Sequence, residues 1–286
     1  MKNLIYLIEY LIITFLFAFF KLIGFKNSSN MGYLLGKYFG PFFRPKNLII
    51  KNLSNINIKF EEDSKTIASE VLGNYGRIFA EYPFLKDFRN DRLKHYIEIE
   101  GLEHLDPIIK NEKRVVFVSG HFNNFELMAM QLEKAGINLA AIYRPLNNIF
   151  LNKVMVNIRE KFICKKQIKK GRSGSREIVE NLKKGKSIAL MIDQRVREGI
   201  KVDFFGKKST TTTIPEQLIK KYNCEVVPIY IERKNNYFFK MYISQPINLI
   251  KKVKEGEITE HLNKILEKMI IKNPNQWIWT HDRWKE

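Results

Sequence analysis

The first pattern along the chain is an apolar run. Residues 4–25 read LIYLIEYLIITFLFAFFKLIGF, broken only by Glu9 and Lys21, which is close to the roughly 20 residues that a helix needs to cross a bilayer. The uninterrupted part, residues 10–20, is shorter. A tilted or interfacial helix, with Glu9 and Lys21 reaching for the headgroups, therefore competes with one that spans. No A-x-A-like processing site follows Phe19-Phe20-Lys21, so the segment is expected to be retained. Lys2, Lys21 and Lys26 flank both ends and set no topology. Residues 1–26 are predicted to be an N-terminal membrane anchor and 27–286 the domain behind it.

Behind the anchor the periodicity changes once. Residues 32–43 are rich in aromatics and end at Pro41 and Pro45, and from 63 to 85 apolar residues recur at Ile67, Val71, Tyr75, Ile78, Phe79 and Tyr82, one stripe of a helix. Residues 27–90 are thus expected to be mainly helical. From 91 onward short branched runs take over. Residues 96–100 alternate like a half-exposed strand, while 115–118, 139–143, 188–192 and 226–231 read as buried strands. Helical segments at 125–135, 149–160, 176–183 and 215–222 separate them, an edge strand is expected at 238–243, and an amphipathic helix at 258–271 closes the chain. Alternating strands and helices predict an α/β fold over 91–286, with a mostly parallel central sheet flanked by helices.

Composition adds a charge. Lys and Arg number 49 against 30 Asp and Glu, a net charge of +19, which attracts anionic partners and favours the anionic cytoplasmic leaflet. The excess is spread along the chain rather than blocked, and part of it reads as compositional drift. The aromatics lie in core-like runs and no nucleic-acid module appears, so nucleic-acid binding is not expected. Cys164 and Cys224 stand far apart, with no CxxC pair or zinc-like His/Cys spacing; a reducing compartment and no structural metal follow.

Candidate chemistry gathers where strands end, the place where open α/β sheets hold ligands. Run 115–118 leads into Ser119-Gly120-His121, run 139–143 into Arg144, and run 188–192 into Asp193. His121 and Glu126 are five residues apart, about 140° around a regular helix. Only a loop-to-helix junction lets that carboxylate meet the imidazole and support a charge on it. A competing reading makes Asn123 an N-cap and Glu126 the acidic member of a capping box. Ser119 lacks a G-x-S-x-G elbow, and the glycine-rich stretch 171–176 lacks the lysine and length of a P-loop, although its amides could hold a phosphate. Residues 210–213 read mainly as a helix cap, with Thr213 and Glu216 as a capping box.

The stretch SGHFNNFELMA, with its H-x4-E, resembles the late acyltransferases of lipid A biosynthesis, the lauroyl and myristoyl transferase family. The likeness continues through NYGRIFAEY, IEIEGLEHL, AIYRPLNN, GRSGSREIVENLKKGKSIALMIDQ, DFFGKKSTTTT, EVVPIY and WIWTHDRWK. Glycerolipid acyltransferases, a related class, usually have an asparagine before the histidine and an aspartate at the end of the motif; Gly120 and Glu126 favour the lipid A branch. The resemblance implies a glycerolipid-acyltransferase-like fold and an acyltransferase of the bacterial inner membrane, with its catalytic domain on the cytoplasmic face. It implies acyl carrier protein as donor, a lipid A precursor as acceptor, and no cofactor. His121 would be the general base and Glu126 its holding and polarising partner. Arg144, with Arg172 or Arg176, would grip acceptor phosphates or support charge in the transition state. Asp193 falls on an acidic position of the family, where it would either touch substrate or position Arg144. Two alternatives stand beside this: acylation of another membrane glycolipid or lysophospholipid, and a non-catalytic basic lipid-binding protein.

Overall fold

The computed structural model describes residues 2–56, 58, 60–251 and 254–285, the side chain of Arg172 excepted. A helical layer comes first: α1 (Lys2–Ile23), α2 (Phe25–Phe43), α3 (Lys46–Ser54), α4 (Ser64–Glu81) and the short α5 (Leu85–Arg89). The α/β part follows as β1 (Ile97–Glu100), α6 (Asp106–Lys110), β2 (Val115–Ser119), α7 (Glu126–Lys134), β3 (Leu139–Tyr143) and α8 (Ile149–Ile158). It continues with β4 (Lys166–Lys169), α9 (Arg172–Lys183), β5 (Ser187–Met191), β6 (Ile200–Phe204), β7 (Lys207–Thr211), α10 (Ile214–Tyr222), β8 (Glu225–Lys234), β9 (Phe238–Ile243) and α11 (Glu257–Lys272).

The main sheet runs in the order β1-β9-β8-β2-β5-β3-β4. Every pair is parallel except β8–β9, which forms an antiparallel hairpin. The expected α/β architecture is therefore present, and β2 lies at its centre with all five residues buried, as a strand covered on both faces must. Strand β4 and the β6–β7 hairpin go beyond the elements read from the sequence. β4 is the sheet's far edge and buries only Ile168, so its sequence KQIK carries almost no apolar signal. The hairpin buries Ser209 and Thr211 beside Val202 and Phe204, and a polar inner face hides the alternation. Helix α2 runs through Pro41 to Phe43, with Arg44 N–H still closing on Gly40 O.

The helical layer is joined to the sheet tightly. A Cβ at Gly36 would collide with Leu72 O and one at Gly76 with Gly32 O, so only glycines allow α2 and α4 to cross at this distance. Glu81, fully buried at the end of α4, accepts Arg233 Nη1 at 2.6 Å and Nη2 at 3.0 Å, Ser29 Oγ at 2.7 Å and Asn124 Nδ2 at 3.2 Å. One carboxylate thus ties α2, α4, β8 and the loop after β2 together. Breaking a buried pair of this kind typically costs about 3–5 kcal/mol, because the surviving charge stays buried.

Candidate active site

The junction from β2 through its loop into α7 delivers both residues of the H-x4-E motif. Gly120 leaves the strand where a Cβ would press on Leu266 and Phe122. His121 follows in the loop, and Glu126 is the first residue of α7, the loop-to-helix junction that the spacing required. The capping-box alternative is not what forms. Phe125 occupies the N-cap, Asn123 Nδ2 donates to Ile231 O and Gln276 Oε1, and Asn124 turns to Glu81.

The imidazole's partner comes from the next strand. Asp193, two residues beyond β5, is 2% exposed and lies beside His121 because Ser119 of β2 pairs with Met191 of β5. Its carboxylate takes His121 N–H at 2.9 Å, faces Nδ1 at 2.8 and 3.0 Å, and accepts Trp277 Nε1–H at 2.8 Å. Burial alone would raise this carboxyl. The charge and two hydrogen bonds of His121, with the Trp277 indole, hold it down at about 2. An ionised Asp193 requires a donor at Nδ1, which leaves the neutral ring with its lone pair on Nε2. Among the described residues Nε2 has no partner, and His121 lines a cavity. Asp193 was expected to touch substrate or to position Arg144; its oxygens are instead taken up by His121 and Trp277.

Glu126, expected on the imidazole, is turned elsewhere. Its Oε1 accepts Arg159 Nε at 2.9 Å, Arg159 Nη2 at 2.7 Å and Tyr82 O–H at 3.3 Å. Arg159 opens a π-turn (Arg159–Ile163) after α8 and its side chain is largely buried. A guanidinium in that position needs a carboxylate, and its fork fits one better than an imidazole would. Although burial opposes the charge of Arg159, Glu126 holds its pKa above the ordinary value.

His121, Glu126 and Arg159 all face one cavity of about 760 Å³, within the range of small-ligand pockets. Its walls are mostly apolar, among them Phe117, Met128, Ala129, Leu132, Met155 and Ile163. At the C-terminal ends of neighbouring strands β3 and β4, Arg144 and Lys170 also line it, brought together by Lys170 N–H donating to Tyr143 O at 2.8 Å. Burial and the charge of Arg144 both push the Lys170 ammonium below its usual pKa. Arg176 lies exposed on α9, outside the residues that line the cavity, and the side chain of Arg172 lies outside the described residues. The reading from sequence missed three members of the site: Arg159, Lys170 and Trp277. Only Trp277 carried a signal, in WIWTHDRWK.

A pH prediction follows from Asp193. Its carboxyl is depressed to about 2 against about 3.9 for a free aspartate, so its stabilisation is present above about pH 4 and lost as pH falls toward 2, on the order of 2.5 kcal/mol in all. Asp193→Asn should therefore be less stable than wild type at neutral pH, with a gap that closes between about pH 4 and 2. Urea unfolding of the detergent-solubilised protein across that range measures it, and a gap independent of pH would contradict the assignment.

The family model for bacterial lipid A biosynthesis acyltransferases matches residues 1–286. The chain is 26% identical over 264 residues to the lipid A biosynthesis palmitoleoyltransferase of Escherichia coli, covering 89% of this chain and 84% of that one. With the lauroyltransferase of the same organism it shares 26% identity over 204 residues, 68% of this chain and 63% of the other. With the myristoyltransferase it shares 20% over 234 residues, 79% and 72%. Among solved structures, the crystal structure of a 1-acyl-sn-glycerophosphate acyltransferase from Thermotoga maritima overlaps 96% of this chain and 99% of its own, at 17% identity and a TM-score of 0.43. The chain belongs to the family of bacterial lipid A biosynthesis acyltransferases, and it is an O-acyltransferase.

Proposed function

We propose that the protein transfers a fatty acyl chain from the thioester of an acyl carrier protein to a hydroxyl of a lipid A precursor, with His121 as general base. The observation that carries this reading is the Nε2 of His121, without a partner among the described residues, on a ring backed by Asp193 that lines a largely apolar cavity with the Glu126–Arg159 pair. The acceptor hydroxyl donates to Nε2 and loses its proton there as its oxygen attacks the thioester carbon. Asp193 stabilises the imidazolium that forms. Arg159, held by Glu126, faces the negative charge that builds on the thioester oxygen. Collapse of the tetrahedral intermediate breaks the carbon–sulfur bond, and the imidazolium returns its proton to the departing thiolate. The chemistry calls on no cofactor.

Arg144, with Lys170 beside it, takes a phosphate of the acceptor in the cavity. Net charge of +19 draws both an acidic carrier protein and a phosphorylated lipid. The protein sits on the cytoplasmic face of the bacterial inner membrane. Helix α1 is long and apolar enough to span, and 6% of its most apolar window is buried. It is nevertheless pinned to the domain at both ends: Asn148 Nδ2 donates to Tyr6 O and to Glu9 Oε2, each at 2.8 Å, and Lys21 pairs with Asp87. Those bonds favour the interfacial placement, with the outward face of α1 and the exposed Leu34, Phe39, Phe42 and Phe43 of α2 in the leaflet. Mass spectrometry of lipid A from cells with and without the gene tests the reading. Deletion should remove the mass of one acyl chain; unchanged lipid A together with altered phospholipid would move the activity to a lysophospholipid acceptor.

A further inference from the structure

The apolar first helix has two faces of different use. One stripe points outward: Leu11 is 57% exposed, Ile12 54% and Phe15 72%. The other runs Tyr6, Tyr10, Ile13, Phe17 and Phe20 at the i, i+4, i+7 spacing of a single helix face. Phe20 is fully buried, and Tyr10 meets Phe150 with ring centroids 6.2 Å apart. Between them, Ile13 and Phe17 line the same cavity as His121. Phe17 lies 5.2 Å from the ring of Phe79 and 6.2 Å, nearly parallel, from that of Tyr82, whose hydroxyl reaches Glu126. From the membrane helix to the acidic residue of the H-x4-E motif there is thus one intervening side chain.

We propose that α1 is a substrate-binding element as well as an anchor: Ile13 and Phe17 form a wall of the channel that holds a fatty acyl chain, and so help to set the chain length the enzyme accepts. The proposal rests on the acyltransfer reading above and adds to it the residues that a chain would touch. The clamps at Glu9 and Lys21 lie about 18 Å apart along the helix axis, which holds the Ile13–Phe17 stretch in register with the cavity between them. A hydrocarbon in that channel would be bounded by α7 through Met128, Ala129 and Leu132 on one side and by α1 on the other.

The test uses the full-length protein in detergent, where membrane attachment is not limiting, with carrier-protein donors of 10, 12, 14 and 16 carbons in competition for one lipid A precursor. Product ratios cancel the amount of active enzyme, so partial misfolding of a variant does not obscure the result. Ile13→Trp narrows the channel and should shift the ratio of long to short donors toward the short by roughly tenfold, the equivalent of about two buried methylenes. Phe17→Ala widens it and should shift the ratio the other way. Phe15→Ala, on the outward stripe, should keep the wild-type ratio and bind vesicles of phosphatidylethanolamine and phosphatidylglycerol roughly tenfold more weakly. Wild-type ratios in both Ile13→Trp and Phe17→Ala, or an equal loss across all donors, would overturn the proposal. Failure of the wild-type protein to acylate the precursor with any donor would instead defeat the acyltransfer reading beneath it.

Discussion

Replacement of His121 by alanine is expected to lower turnover by about 10²–10⁴-fold, the range that a positioned general base contributes, while the KM for donor and acceptor stays within a few-fold of wild type. The separation follows from geometry. His121 offers the cavity an Nε2 without a partner among the described residues, and its other nitrogen is committed to Asp193. On the proposed reading the acyl chain would meet the cavity's apolar side chains, and the acceptor phosphate Arg144 and Lys170, which line the same cavity. Loss of the imidazole removes the proton acceptor and little binding surface. Steady-state kinetics of the purified variant, with its unfolding midpoint measured in parallel, decides the point. Turnover above about one tenth of wild type would mean that the proton leaves by another route.

The second large effect is expected at Arg159. Arg159→Lys keeps a positive charge but loses the fork that grips Glu126, and should cost about 10²–10³-fold in kcat, as removal of one oxyanion donor does. Glu126→Gln leaves the buried guanidinium without a counter-charge and should fall in the same range with some loss of stability. The pair of variants also distinguishes two roles for Glu126. If it acts through Arg159, both changes lower kcat and leave the pH at which the base loses activity where it is in wild type. If it acted on the imidazole, Glu126→Gln alone would move that pH. Identical pH profiles in the two variants are therefore expected, with a displaced profile only in Asp193→Asn.

The legible part of this site is the part that is local in the chain. His121 in the loop and Glu126 at the start of α7 are five residues apart, and their spacing required the loop-to-helix junction that forms. Strand ends placed Arg144 and Asp193 at one end of the sheet, because a parallel sheet gathers its C-terminal ends on one edge. What Asp193 does was not legible. Its meeting with His121, 72 residues away, depends on the pairing of Ser119 with Met191 across β2 and β5, and a single sequence carries no register between strands. Arg159 was hidden for a different reason. It lies in a stretch read as one helix over 149–160, where a charged residue passes for a solvated face, whereas the helix gives way to a π-turn that turns the guanidinium inward. For α1, the apolar run was plain, but Ile12 and Ile13 are chemically identical; only packing leaves one exposed and turns the other to the cavity.

The most direct measurement is a closed incubation of the purified protein with a charged acyl carrier protein and a lipid A precursor, followed by mass spectrometry of both. Acylated acceptor and free carrier thiol are expected in equal amounts, with the acceptor heavier by one acyl group. Thiol released without an acylated acceptor, or a donor left intact, would contradict transfer at His121.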